Sequence, residues 1–182
     1  QSADYTITVV PGTLEVTQRT VLIAAVDAEK NYGSMDPAFT YTVRTGTIGG
    51  TTYYSILAAD LAGVTVTVSR TGGDSDVGTY AGVLVPDVSA TPAVAANYAF
   101  TTQNGAFTIN PQVVYNRNTT DAVTGFPETQ WFDLGVDAVV ASADGVKRAG
   151  FRLVGWEDAS TGDVIALGGI LTVVLNPTSA PG

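Results

Sequence analysis

The side chains in this sequence best suited to chemistry are a few carboxylates and one lysine. Glu157 and Asp158 lie on one side of Thr161-Gly162 and Asp163 on the other, and two apposed carboxylates can divide general acid and general base roles. These three fall within a single loop rather than on facing strands, which makes them solvated turn carboxylates. Asp74 and Asp76 alternate before a glycine in Gly73-Asp74-Ser75-Asp76-Val77-Gly78, as in a calcium loop, but the closing Glu of a hand-type site is missing. A turn whose Asp side chains cap backbone N–H groups, with Gly78 at positive φ, accounts for the same residues. An isopeptide cross-link would need a buried lysine beside an acid, whereas Lys30, in Lys30-Asn31-Tyr32-Gly33, reads as an exposed turn residue. The chain has no His and no Cys, so zinc sites, thiol nucleophiles and Ser-His triads are excluded. The expectation is a protein that is not an enzyme, with no catalytic residue, no cofactor and no metal.

Aromatic side chains offer a different chemistry, because an exposed ring stacks on a sugar face. Tyr53-Tyr54, Trp131-Phe132 and Trp156 are the candidates. Trp131 and Phe132 follow Pro127-Glu128-Thr129-Gln130, an edge or loop stretch, and at least one of these two rings should be exposed as a ligand contact. Core packing is the expected role of the aromatics otherwise. Asn118-Thr119-Thr120 matches a glycosylation sequon, a short and common pattern.

Composition narrows the partners. A net charge of -9 and a pI near 4.1 oppose binding to nucleic acid and to anionic membranes. No apolar run approaches the roughly 18 residues of a membrane span, and nothing at the start resembles a secretory leader. The expectation is a secreted, extracellular or cell-surface protein whose signal peptide has been removed, leaving Gln1 at the mature terminus. Charged residues make up 14%, against about 25% in an average soluble domain. The polar surface is Thr-rich instead, which suits exposed strand faces and lateral contacts to other subunits or to glycans.

The elements that would position these residues are strands, and one strand pattern occurs twice. Asp4-Tyr5-Thr6-Ile7-Thr8 leads through Val10-Pro11-Gly12 into Thr13-Leu14-Glu15-Val16, and Asn97-Tyr98-Ala99-Phe100-Thr101 leads through Gln103-Asn104-Gly105 into Ala106-Phe107-Thr108-Ile109. The offset is 93 throughout, so Tyr5 aligns with Tyr98, Gly12 with Gly105, Leu14 with Phe107 and Val16 with Ile109 without a gap. Each copy reads as a β-hairpin with one apolar face and a Gly-containing turn. The second copy closes a domain over residues 19–112, whereas the first, in residues 1–18, is a surplus closing element.

Between the copies, the continuous apolar run over 21–26 predicts a central strand buried on both faces. Residues 39–43 and 64–68 alternate as half-buried strands. The Gly-rich stretch 45–52 predicts no regular element, helix formers over 55–62 predict one short helix, and 86–96 reads as a surface loop. Asn110-Pro111-Gln112 marks a boundary. Beyond it, strands are expected at 138–141, 151–156, 164–167 and 170–175 in a second unit, 113–176, with a linker tail at 177–182. The fold class is mainly β, two β-rich domains in tandem.

Two resemblances attach to these residues. Lys30-Asn31-Tyr32-Gly33, Asp36-Pro37-Ala38-Phe39-Thr40-Tyr41, Asp76-Val77-Gly78-Thr79-Tyr80 and Asn97-Tyr98 with its closing strands resemble the MBG domain of the YGX type. That resemblance implies a place in tandem arrays on large secreted bacterial surface proteins and adhesins; the stretch 51–62 departs from it. Val114-Tyr115-Asn116, Gly135 and Lys147-Arg148-Ala149-Gly150-Phe151-Arg152-Leu153-Val154-Gly155-Trp156 resemble the internalin-type B-repeat, which implies a β-grasp-like module. In that strand Phe151 and Leu153 would face the core, Trp156 the opposite side, and Gly155 would admit a close neighbouring backbone. The usual last strand of the module is missing.

Two functions follow as expectations. One is a structural subunit of an extracellular bacterial fibre or adhesin, in which residues 2–17 pair through Tyr5, Ile7, Val9, Leu14 and Val16 with the C-terminal part of the next copy, head-to-tail. The other is a module that binds a glycan or host surface protein through exposed aromatics and the 86–96 loop. A third origin for the surplus element is a tandem array in which it closes a preceding repeat.

Overall fold

The computed structural model describes residues 11–171, so Tyr5, Ile7 and Val9 and the tail 177–182 lie outside the described residues. The fold is mainly β, as its alternating patterns require. β1 (Arg19–Ala25), β2 (Ala28–Asn31), β3 (Tyr41–Arg44), β4 (Gly46–Ile48), β5 (Thr51–Tyr53), β6 (Val64–Arg70), β7 (Gly78–Ala90), β8 (Tyr98–Gln103) and β9 (Gly105–Asn110) build its first part. Three strands form one sheet in the order β3-β1-β8, and four form a second in the order β2-β9-β7-β6. β1 is central, and its run Val21 to Ala24 is fully buried, as a strand covered on both faces must be.

The residues expected to form a closing hairpin do something else. β8 pairs parallel with β1 in the first sheet, while β9 pairs parallel with β2 and antiparallel with β7 in the second. The chain therefore crosses from one sheet to the other at Asn104-Gly105 instead of reversing. β1 and β2 make the same crossing at Val26-Asp27 beside it. The two crossings stay in step, since Arg19 pairs with Tyr98 and Ala28 with Phe107, a separation of 79 residues in both ladders. They are also bonded together: the Asp27 carboxylate accepts the Ala106 N–H at 2.7 Å. A Cβ at position 105 would meet Asp27 Oδ1 at 3.1 Å and the Ala25 carbonyl oxygen at 3.2 Å, which is why glycine stands there.

The core has two parts, one on each side of the crossing. Val21, Ile23, Val94 and Tyr98 form the first, under the far end of β6 and β7. Leu84, Phe107 and Ile109 form the second, with Phe39, Val68 and Tyr80 packed against them. β6 alternates half-buried and exposed residues along its whole length, as its Val-Thr repeat predicts.

Several local expectations need correction. The Gly-rich stretch 45–52 is a hairpin of β4 and β5, because Gly49 and Gly50 both take positive φ (57° and 83°), as a tight two-residue turn of matching twist demands. Residues 55–62 are not an α-helix but lead through a turn into a 3-10 turn at Leu61–Gly63; the one short helix is α1 (Pro92–Ala95). The stretch 86–96 is accordingly no simple loop, since β7 runs on to Ala90. Pro86 is tolerated because beyond Leu84 β7 is no longer paired with β9.

Lys30 lies in β2 rather than in a turn, with only 13% of its side chain exposed, and pairs with Asp36 at 2.8 Å. Arg70 Nε binds the other oxygen of Asp36 at 2.7 Å, so the carboxylate bridges two cations that both lie over the Phe107 ring. Two cations hold Asp36 ionised, which removes the neutral acid that an isopeptide with Lys30 would need. The hydrogen bond from Lys30, reinforced by Arg70, lowers the Asp36 pKa below its ordinary value. The unfolded chain then takes up this proton at a higher pH than the folded one. The contribution of Asp36 to stability is complete above the ordinary carboxylate range, near pH 4, and is lost as pH falls through the lowered value. Asp36→Asn should cost about 1–2 kcal/mol at pH 7 and less at pH 3. Melting temperatures of both proteins from pH 3 to 7 check this; curves that stay parallel would contradict it.

Beyond Asn110 the strands are short: β10 (Gln112–Val113), β11 (Gln130–Trp131), β12 (Ala138–Val139), β13 (Gly155–Glu157), β14 (Val164–Ala166) and β15 (Ile170–Leu171). They pair antiparallel as β10-β11, β12-β15 and β13-β14. Asn110 ties the two parts together. It is 4% exposed, its carbonyl accepts the Tyr32 N–H, and its side chain bonds Glu29 and the Leu134 N–H.

Candidate functional site

Asp158 and Asp163 lie in a turn, whereas Glu157, expected in the same loop, ends β13 opposite Val164. Asp158 Oδ1 accepts hydrogen bonds from both the N–H and the hydroxyl of Ser160, which lower its pKa, and its backbone closes the β13-β14 loop on Asp163. A carboxylate so engaged caps a turn. In the other loop Arg70 Nη1 donates to the backbone carbonyl of Asp74 and the Tyr80 hydroxyl to that of Asp76, so the loop is held through its main chain rather than by the expected caps from the two carboxylates. Gly72, not Gly78, takes the positive φ there (84°), and Gly78 opens β7. Among the described residues no three His, Cys, Asp or Glu side chains gather as a metal site would require.

Residues 113–171 instead form a cleft of about 700 Å³ with aromatic walls and charged edges. The Tyr115 and Trp156 rings lie 4.5 Å apart, and Phe126 meets Trp156 edge-on at 5.9 Å. Their polar ends are satisfied internally: Trp156 Nε1 donates to the Ala141 carbonyl at 2.8 Å, and the Tyr115 hydroxyl accepts the Ala141 N–H and contacts Gln130. Arg117 lies over Phe126, and Arg148 pairs with Asp121 and covers Phe151. Glu157 and Asp158 line the cleft beside Arg117, Arg148 and Arg152, so its edges carry both signs of charge. Trp131 and Phe132 do not line it: Trp131 sits on β11, 43% exposed, and Phe132 is half-buried, with its N–H bonded to the Pro111 carbonyl.

The inward placement expected of Phe151 is overturned, while Trp156 covers a small aromatic cluster of its own. Phe151 is 64% exposed, whereas Trp156 packs inward on Tyr115 and Phe126. Of the expected strand 151–156 only Gly155 and Trp156 lie in a ladder, and Phe151 makes an isolated bridge to Arg148, so alternation counted from Phe151 does not govern the segment. Gly155 behaves as its sequence implied: a Cβ there would lie 2.7 Å from the Ile165 carbonyl oxygen. Phe151→Ala should therefore cost under about 1 kcal/mol and Trp156→Ala about 2 kcal/mol. Urea denaturation of the two variants tests the order, and a larger loss at Phe151 would refute it. Phe126 was not legible as a site residue, since nothing local marks it as a partner of Trp156.

The second functional surface is the N-terminal segment. From Pro11 to Gln18 no strand forms, and Leu14 and Val16 are 89% and 88% exposed. Their counterparts Phe107 and Ile109 are both 0% exposed.

A two-sheet β unit with paired parallel crossings is thus the class of structure that carries these surfaces. Residues 21–108 match the family model of the MBG domain (YGX type), a domain found in bacterial surface proteins. No curated protein and no solved structure matches the chain. No helix among the described residues is long and apolar enough to cross a membrane.

Proposed function

We propose that this chain is a non-enzymatic structural module of an extracellular bacterial fibre or adhesin. Its units join head-to-tail, through copies of the chain or neighbouring repeats, when residues 2–17 of one donate strands to the next. Residues 113–176 act as a β-grasp-like module of the internalin B-repeat type. One observation carries the donation: Leu14 and Val16, apolar residues in a strand-forming sequence, are almost fully exposed while their repeat counterparts are fully buried. Unpaired apolar strand sequence is a liability that a neighbour covers. Sedimentation and negative-stain microscopy of the intact chain and of a chain lacking residues 1–17 test it. Loss of association in the truncated chain is expected; equal association of both would end the proposal.

The cleft favours a second reading, binding of a glycan or host surface protein. Its aromatic walls, with Arg117 over Phe126, suit a sugar ring. Glycan-array binding that is lost in Arg117→Ala would support it, and binding lost in Trp131→Ala alone would move the contact to β11.

A further inference from the structure

The places where the chain enters and leaves the MBG-type unit decide how that unit meets tension. The chain enters at Arg19, the start of β1, and leaves at Asn110, the end of β9. Both are interior strands, since β1 lies between β3 and β8, and β9 between β2 and β7. β1 runs parallel to β8 from Arg19 to Ala24, and β2 runs parallel to β9 from Ala28 to Asn31. A pull on the two ends of the unit therefore draws β1 backward and β9 forward along strands that point the same way. The load runs along the ladders and across their hydrogen bonds, so all the bonds of a ladder share it. Antiparallel terminal strands side by side would place both ends at one edge, where the bonds open one at a time.

The ladders are also reinforced. Backbone bonds extend them at both ends, from the Arg19 N–H to the Asn97 carbonyl at 2.8 Å and from the Tyr32 N–H to the Asn110 carbonyl at 2.9 Å. Between the ladders, where strand pairing is interrupted at the crossing, the Asp27 carboxylate accepts the Ala106 N–H at 2.7 Å and joins one ladder to the other. The Thr101 hydroxyl adds a bond to the Val21 carbonyl at 3.1 Å. Val21 to Ala24 on one strand and Phe107 and Ile109 on another are buried, so water does not replace these bonds as they stretch.

We infer that the paired parallel crossings are a shear clamp, which gives the unit a further function: to carry tension along a string of surface modules, with Asp27 joining the two halves of the clamp. The use of the clamp rests on the fibre or adhesin reading, in which strand donation passes load to the residues just before β1. The clamp itself belongs to a single unit and needs no association.

Single-molecule pulling on the full chain tests the clamp. With handles at Gln1 and Gly182, the unit should resist and then open in one event that releases the span from Arg19 to Asn110, a gain of about 300 Å at roughly 3.3–3.6 Å per residue. The chain has no cysteine, so handles can be moved by substitution alone. Thr17→Cys and Ala96→Cys place both handles at exposed positions at the start of the β1-β8 ladder. That pair pulls the two strands apart sideways, and the unfolding force should fall by about half or more. Equal forces in the two geometries would overturn the inference. Asp27→Ala should speed unfolding at fixed tension about fivefold, as the loss of one hydrogen bond across the crossing implies, and Asp27→Asn, which keeps an acceptor, should restore most of the resistance. Val68→Ala, in the second core but outside both parallel ladders, should lower the denaturant midpoint and leave the rate under tension nearly unchanged. If Val68→Ala speeds rupture as much as Asp27→Ala, the resistance is overall stability and the clamp is refuted. Each molecule is pulled alone, so failure here leaves strand donation standing, and loss of donation leaves the clamp standing.

Discussion

Phe107→Ala should destabilise the protein by about 3–5 kcal/mol, a loss visible as a drop of ten degrees or more in melting temperature. The ring is fully buried on β9, meets Phe39 edge-on at 5.6 Å, and lies 4.8 Å from the Arg70 guanidinium. Truncation removes the largest side chain of the second core cluster and leaves a cavity between β2 and β7, whose partners on both sides are held in ladders and cannot collapse into it. It also takes away the apolar floor under Lys30 and Arg70. Leu14→Ala at the repeat-equivalent position should cost almost nothing in the isolated chain, because that side chain is 89% exposed. Thermal and urea unfolding of both variants measure the contrast. Similar midpoints for the two would mean that β9 is not in the core.

Gly105→Val should cost roughly 3 kcal/mol, while Gly12→Val leaves the midpoint of the isolated chain unchanged. A Cβ at 105 meets Ala25 Cβ and the Ala25 carbonyl oxygen at 3.2 Å and Asp27 Oδ1 at 3.1 Å, and the two methyl groups of valine need further room. Backbone is the obstacle on one side. On the other side is a carboxylate that must stay in place to accept the Ala106 N–H, so relief means breaking that bond and parting the crossings. Among the described residues no atom lies within 4 Å of a Cβ built at Gly12. Denaturant midpoints measured side by side decide it, and a tolerated valine at 105 would show that the crossings are not held so closely.

Much of the architecture was legible because it depends on local pattern. The apolar run over 21–26 announced a central strand, and the structure buries Val21 to Ala24 completely. The Val-Thr alternation of 64–68 marked one wet face, and Gly155 marked a close approach of backbone. Such features follow from the period of the strand and from the absence of a side chain, and both are written in a few adjacent residues.

Other features could be decided only by pairing across the fold. Alternation followed by a glycine describes a hairpin and a crossing between sheets equally well; what made residues 98–110 a crossing is the second chain, β1 into β2, running parallel beside it. Gly49-Gly50 predicted no regular element, yet two positive φ angles are what a tight hairpin needs. Lys30 read as a turn residue until Arg70, from a strand distant in sequence, met it at Asp36. Phe151, expected in the core, is exposed beside Arg148, because the apolar surface supplied by Tyr115 and Phe126 takes the Trp156 ring instead. The sequence by itself determined the β class, the positions of the core strands, the absence of thiol and imidazole chemistry, and the repetition of a closing element. Only the tertiary structure decided which strands meet and which copy of that element is buried, since burial depends on whether facing lanes are free, and here residues 98–110 already fill them.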